Sequence, residues 1–235
     1  MIGYLFVAGA LAAGITKGYC GKKTSGVIRT TRNTLLFNAI RMLLCIPIGL
    51  LFVLSAGSMD ALTVNGTTAW CSVLSGLSTA MFVVTWIGCV RWGAYMMVDV
   101  FVTLGILIPM FLSAICFEEQ IRPVHLIGLA LLIFAAYLMC TYHKTLSDNA
   151  PKIGIRQYLL LFLCGASNGI TQFSQKWFRN ACNTDISVFN FYTYVIAAAV
   201  LFLWFLFCAK TPSDTEKISS ASLRRLAVYV LLMSA

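Results

Sequence analysis

Residues 35–56 read LLFNAIRMLLCIPIGLLFVLSA, a run with a single formal charge, Arg41. About twenty apolar residues, rising about 1.5 Å each, carry a helix through the hydrocarbon core of a bilayer. A membrane β-barrel strand would be shorter and would alternate apolar with polar residues, and this run does neither. The same signature recurs along the chain, with apolar runs near 2–20, 35–56, 68–90, 93–117, 124–142, 157–175 and 186–209. A further run opens after Ser222 and reaches Ala235 after about fourteen residues, too few to cross. Of the 235 residues, 60% are hydrophobic and 11% charged, whereas a soluble domain carries about a quarter charged. A water-soluble globule is excluded. The expected fold is an all-α polytopic membrane bundle with seven complete spans and the start of an eighth.

The net charge of +9 invites a nucleic-acid reading, which its distribution rejects: cations sit between apolar runs, with no basic block interleaved with aromatics. Assigned to alternate faces, fourteen cations from Lys17 to Arg225 fall on one side and three (Arg122, Lys176, Arg179) on the other. The positive-inside rule then places the first loop in the cytoplasm and the N-terminus outside. The nine cysteines occur singly, without CxxC or metal-ligand spacing, and read as small apolar packing residues. No cofactor and no metal are expected. Ile2 starts the first run without a basic leader, so a removable signal peptide is disfavoured.

Ala13-Gly14-Ile15-Thr16 in the first run is echoed by Asn168-Gly169-Ile170-Thr171 in the sixth. Five spans per repeat make the second copy enter the membrane from the opposite side, the inverted-repeat design of many secondary transporters. On that reading residues 1–142 form the first five-span repeat, 143–156 a linker and 157–235 an incomplete second repeat, with ten spans when complete.

The stretch Val90–Met139, VRWGAYMMVDVFVTLGILIPMFLSAICFEEQIRPVHLIGLALLIFAAYLM, carries a proline two-thirds along one span (Pro109). An acidic stop follows (Phe117-Glu118-Glu119), then a short turn (Ile121-Arg122-Pro123) into a glycine-containing span (Leu126-Ile127-Gly128). It resembles the fourth and fifth spans of the drug/metabolite transporter superfamily in its EamA-like branch, and GASNGITQFSQKWF from Gly165 to Phe178 resembles that family's sixth span. The resemblance implies ten spans and a small-molecule substrate. It implies an N-terminus in the cytoplasm, opposite to the charge count. Small multidrug-resistance relatives carry a glutamate in the first span that exchanges protons for drug; Ile2–Cys20 here has no acid, so that chemistry is not carried over.

Ionisable groups at membrane depth cost about 2.5–3.5 kcal/mol each on insertion scales, so each marks a candidate site. Arg41 and Asp99 both lie six residues into spans that start from the basic face, about 9 Å deep, and form a candidate charge pair or gate. For Arg41 the plainer reading is snorkelling to the interface. Asn168, Thr171, Gln172 and Gln175 recur at three- and four-residue spacing, forming either a polar cavity wall or interhelical glue. Gly14, Asn168, Thr171, Gln172 and Trp86 are therefore the candidate lining of a substrate cavity. The alternative for Gly14, with Gly18, is close helix packing. Glu118 and Glu119 read as a helix stop paired locally with Arg122. His125 and His143 are too far apart to share a metal, and Asn65-Gly66-Thr67 fits a glycosylation triplet.

The leading expectation is a secondary active transporter in the cell membrane, not an enzyme, moving a small metabolite or drug-like molecule by alternating access. Its partners would be that substrate and the lipid bilayer; the oligomeric state is open. The alternatives are a seven-span receptor or sensor and, behind it, a membrane-embedded enzyme, for which no cluster of catalytic side chains is visible.

Overall fold

The computed structural model describes residues 2–28, 30–55, 62, 65–91, 95–145, 154–182, 184–208 and 220–234. They form α1 (Ile2–Val27), α2 (Thr31–Ser55), α3 (Gly66–Arg91), α4 (Tyr95–Leu104), α5 (Leu107–Phe117), α6 (Pro123–Thr145), α7 (Ile155–Ala181), α8 (Ile186–Phe207) and α9 (Ser220–Ser234). Among the described residues no strand is present. Most of the expected linker 143–156 and of the loop after Lys210 lies outside the described residues, as do Arg29, Trp92 and the side chain of His143.

Four apolar helical stretches are long enough to cross a membrane: Thr31–Ser55, Gly66–Arg91, Met97–Phe117 and Ile186–Phe207. The other three expected runs fall on α1, α6 and α7. In α7 the polar positions 167–175 interrupt the hydrophobic stretch, and in α6 the apolar part is Pro123–Met139.

The interior is mixed and the exterior apolar, unlike a soluble bundle. On α2, Thr34, Asn38, Arg41 and Gly49 turn inward, while Leu36, Ile40, Leu43, Leu51, Phe52 and Leu54 face outward. An apolar exterior of this extent marks a surface made for lipid. Four helices make the centre: α3 lies against α7 and α8, and α2 against α8. α9 contacts α1 and α2, while α4 and α5 lie along α7 and α6 touches α4.

Contacts between distant loops fix which helix ends share a face. Arg32, entering α2, donates through Nη1 to the carbonyl of Cys208 at 2.7 Å and lies 4.3 Å over the Phe205 ring, a cation at the negative end of α8. Arg91, leaving α3, donates to Thr34 Oγ1 at 2.9 Å. At the other end Tyr192 donates to the carbonyl of Leu62 at 2.8 Å, and Lys176 pairs with Glu119. The cation-rich and cation-poor faces of the sequence are thus opposite ends of the bundle.

One expected boundary is corrected. The first apolar run, expected to end near residue 20, belongs to a helix that continues through Val27: Lys22 and Lys23 end the apolar run, but their exposed side chains leave the helix undisturbed. The span expected over 93–117 is one helical stretch, Met97–Phe117, with a tightened turn at Gly105 and Ile106 that separates α4 from α5.

Candidate functional site

The break begins with Pro109, which has no N–H to give the carbonyl of Gly105, four residues earlier. The chain tightens there instead: Ile108 N–H bonds Gly105 O at 3.1 Å and Ile106 N–H bonds Thr103 O at 3.0 Å. That second bond leaves the carbonyl of Val102 without its usual donor, Ile106. Gly105 N–H reaches it at 3.2 Å while also bonding Phe101 O, and Asn168 of α7 donates to it through Nδ2 at 3.3 Å. Irregular backbone at membrane depth persists only where such partners are supplied.

The approach that allows this bond is glycine on glycine. A β-carbon built on Gly165 would collide with the carbonyl oxygen of Phe101, and one on Gly169 with that of Gly105. Gly165 and Gly169 thus form a GxxxG face on which the broken helix lies, backbone to backbone. The four-residue spacing of Gly165 and Gly169 is legible in the sequence, beside the polar residues that share this helix.

The polar stripe of α7 divides as its helical angles require. Gln172 and Gln175 continue the line of Asn168 and border a cleft of about 980 Å³ between α5, α6 and α7. Its floor is apolar, with Ile106, Leu107, Met110, Leu129 and Leu132, and its rim carries Glu119, His125, Lys176 and Arg179. Thr171 looks the other way, toward α3, where its hydroxyl lies 2.9 Å from Ser78 Oγ and donates to Ser167 O at 3.0 Å. Thr171 is therefore interhelical glue rather than cavity wall.

Two other expected lining residues are also elsewhere. Trp86 is buried on α3 with its ring against Gly21 of α1, so it packs. Gly14 is exposed, with nothing within 4 Å of where its β-carbon would be; α1 is buried through Gly18, Cys20, Gly21, Thr24, Ser25 and Ile28 instead. Glu119 pairs with Lys176 across the rim and not with Arg122, because Glu118, at φ 53°, ends α5 in the left-handed conformation and turns the chain away.

Arg41 and Asp99 are not brought together. Asp99 is exposed on α4, and among the described residues the one ion pair is Lys176–Glu119. Arg41 is 4% exposed, which also rules out snorkelling. Its electrostatic neighbours are Cys45, Tyr194 and Lys17, and its Nε and Nη1 have no hydrogen-bond partner. A second pocket of about 450 Å³ is bordered by Cys45, Gly49, Phe52 and Ser55 of α2, Asp185 at the start of α8, Ile186, Ser187, Asn190 and Tyr194 within it, and Ser234 of α9; Arg41 does not border it.

Both cavities run to the cation-poor end, the cleft at Glu119–Ile121 and the pocket at Ser55 and Asp185–Ser187. Toward the cation-rich end the described residues include a buried cluster with Cys20, Ile28, Phe37, Trp86, Val90, Val98, Leu161 and Leu226. No protein-family model matches the chain, and no curated protein or solved structure matches it.

Proposed function

We propose that this protein is a secondary transporter of a small molecule in the plasma membrane, working by alternating access between two inverted repeats. The observation that carries the reading is the helix tightened at Gly105–Ile106 by Pro109 and held on the glycine face of α7 by the Asn168–Val102 bond. A kinked or interrupted helix at membrane depth is a feature from which transporters of this design build sites and hinges.

Two further observations support it. Exchanging spans one to three with six to eight turns the contact of α3 with α7 into that of α9 with α1. The contact of α3 with α8 becomes that of α9 with α2, and the pair α2 and α8 maps onto itself; these contacts occur, whereas the contacts of α3 with α1 and α2 have no comparable counterpart of α9 with α7 and α8 among the described residues. Cavities open at one end of the bundle and a packed apolar cluster at the other are, in addition, the form one access state takes. By the positive-inside rule the open end faces outward.

The test is counterflow in proteoliposomes, using compounds first selected because they raise the thermal stability of the purified protein. Uptake of a selected compound above that of protein-free vesicles is the expected result. Binders that never cross faster than in protein-free vesicles overturn the proposal.

A further inference from the structure

The three cations of the cation-poor face, Arg122, Lys176 and Arg179, are not scattered over it. Lys176 and Arg179 of α7 border the cleft between α5, α6 and α7, and Arg122 stands in the chain between Ile121 and Val124, which border it too. Lys176 is engaged by Glu119. Arg179, exposed in the last turn of α7, has no carboxylate within ion-pair distance among the described residues. Counted over the bordering side chains Lys176, Arg179 and Glu119, the mouth carries a net positive charge.

Below the mouth the chemistry changes in order. Arg179, Lys176, Gln175 and Gln172 follow one another at three- and four-residue spacing down one stripe of α7, so charge gives way to amides. Deeper still the walls are apolar, with Ile106, Leu107, Met110, Leu129 and Leu132. On α6 the bordering residues Val124, His125, Gly128, Leu129 and Leu132 form one face, about 12 Å long from Val124 to Leu132. Half of a hydrocarbon core about 30 Å thick is about 15 Å, so the cleft has close to the depth of one leaflet. It is open to that leaflet, since α6 makes its main contact with α4 and Val124 is 72% exposed.

We infer that the cleft holds a glycerophospholipid of net negative charge, its phosphate on Arg179 with Lys176 beside it, its ester carbonyls level with Gln175 and Gln172, and an acyl chain along the apolar walls of α5 and α6. Charge, then hydrogen-bonding groups, then hydrocarbon is the order of chemistry along such a lipid and down these walls. A guanidinium meets phosphate with paired N–H groups. A small soluble anion would leave the apolar depth unfilled, and a lipid without net charge would leave the excess cation unmatched. The volume of about 980 Å³ stands at the upper end of the range of ligand sites. This lipid site goes beyond the transport reading and stands without it.

The experiment is native mass spectrometry of the purified protein, delipidated in non-ionic detergent. It is titrated with dioleoyl phosphatidylglycerol, with dioleoyl phosphatidylcholine as the lipid without net charge, and with glycerol 3-phosphate as the head without a tail. One phosphatidylglycerol binds, at least about tenfold more tightly than either of the others. Arg179→Gln weakens it by about tenfold, as loss of a charged hydrogen-bond partner does. Glu119→Gln acts in the opposite direction and tightens binding, because it releases Lys176 to the phosphate. Gly128→Phe weakens binding by filling the cleft, since nothing lies within 4 Å of where a β-carbon at Gly128 would be. All three positions are exposed, so each variant melts close to the wild type.

Equal affinity for phosphatidylglycerol and phosphatidylcholine, wild-type affinity in Arg179→Gln, or no tightening in Glu119→Gln overturns the assignment. Wild-type binding in Gly128→Phe puts the lipid elsewhere on the surface, and glycerol 3-phosphate binding as tightly as phosphatidylglycerol makes the mouth an anion site without a lipid; either result overturns it as well. Counterflow plays no part in the readout, so the lipid site and the transporter reading fail separately.

Discussion

Asn168 of α7 donates through Nδ2 to the carbonyl of Val102 at 3.3 Å, joining Gly105 N–H, at 3.2 Å, on the carbonyl that Ile106 N–H leaves when it turns to Thr103 instead. Sequence position alone made Asn168 a cavity residue; the structure makes it the support of a broken helix. Asn168→Leu, similar in size but unable to donate, should cost about 0.6–1.7 kcal/mol, the range of interhelical hydrogen bonds in membranes. Flux in proteoliposomes should fall much further, by at least about tenfold, because the break loses its fixed geometry. A drop in flux that only tracks the amount of folded protein would reduce Asn168 to a stability residue.

Gly165 and Gly169 admit no side chain, because the atoms they would meet are backbone oxygens of Phe101 and Gly105 rather than movable side-chain ends. Gly169→Ala and Gly165→Ala should each destabilise by about 1–3 kcal/mol, the usual cost of overpacking. Gly128→Ala in α6, where nothing lies within 4 Å, should be neutral or stabilising by up to about 1 kcal/mol through helix propensity. Thermal unfolding in detergent compares the three directly. Similar melting temperatures for all would show that α4 and α5 do not rest on α7.

How far the fold is legible in the sequence depends on what sets each boundary. Hydrophobic thickness bounds the runs 35–56, 68–90 and 186–209, and α2, α3 and α8 end within a few residues of them. Backbone hydrogen bonding ends a helix by other rules: α1 passes through Lys22 and Lys23, and the apolar run 93–117 hides a break. The signal for that break was present, a proline at 109 four residues after a glycine at 105. A polar stripe read at three- and four-residue spacing likewise spans more than one face, which is why Thr171 turns to α3 and Gln172 to the cleft. Whether a buried charge has a partner depends on which helices are neighbours. Equal depth alone could not show that Arg41 and Asp99 lie apart.

Asp185 caps α8, accepting the Ser187 N–H on Oδ1 at 2.7 Å. The Ser187 side chain, and after it this backbone bond, hold the Asp185 carboxyl below the usual carboxylate range. A lowered value means the ionised form is favoured in the fold, so this stabilisation is fully present above the ordinary aspartate pKa of about 3.9 and is lost as pH falls through the lower folded value. Asp185→Ala should cost about 0.5–2 kcal/mol at neutral pH, while Asp185→Asn, which keeps an acceptor, should cost less and remove this contribution to the acid sensitivity. Melting curves from pH 7 to pH 3 distinguish them; an unchanged acid limb in Asp185→Asn would show that the cap's charge is without effect.

Pro109→Ala isolates the break from everything that surrounds it. Alanine restores an N–H that can bond Gly105 O in the ordinary α-helical way, so the turn now closed by Ile108 N–H and Ile106 N–H can relax toward a continuous helix. Removing proline from a helix interior, where it costs about 3 kcal/mol relative to alanine, should hold or raise the melting temperature. Continuity would also return Ile106 N–H to Val102 O and displace Asn168, straightening the segment that lines the cleft at Ile106, Leu107, Pro109 and Met110. Flux should therefore fall while stability does not, the opposite of what a packing residue shows. Wild-type flux in a Pro109→Ala protein of unchanged or higher stability would mean that the discontinuity between α4 and α5 has no part in transport, and the reading built on it would have to be given up.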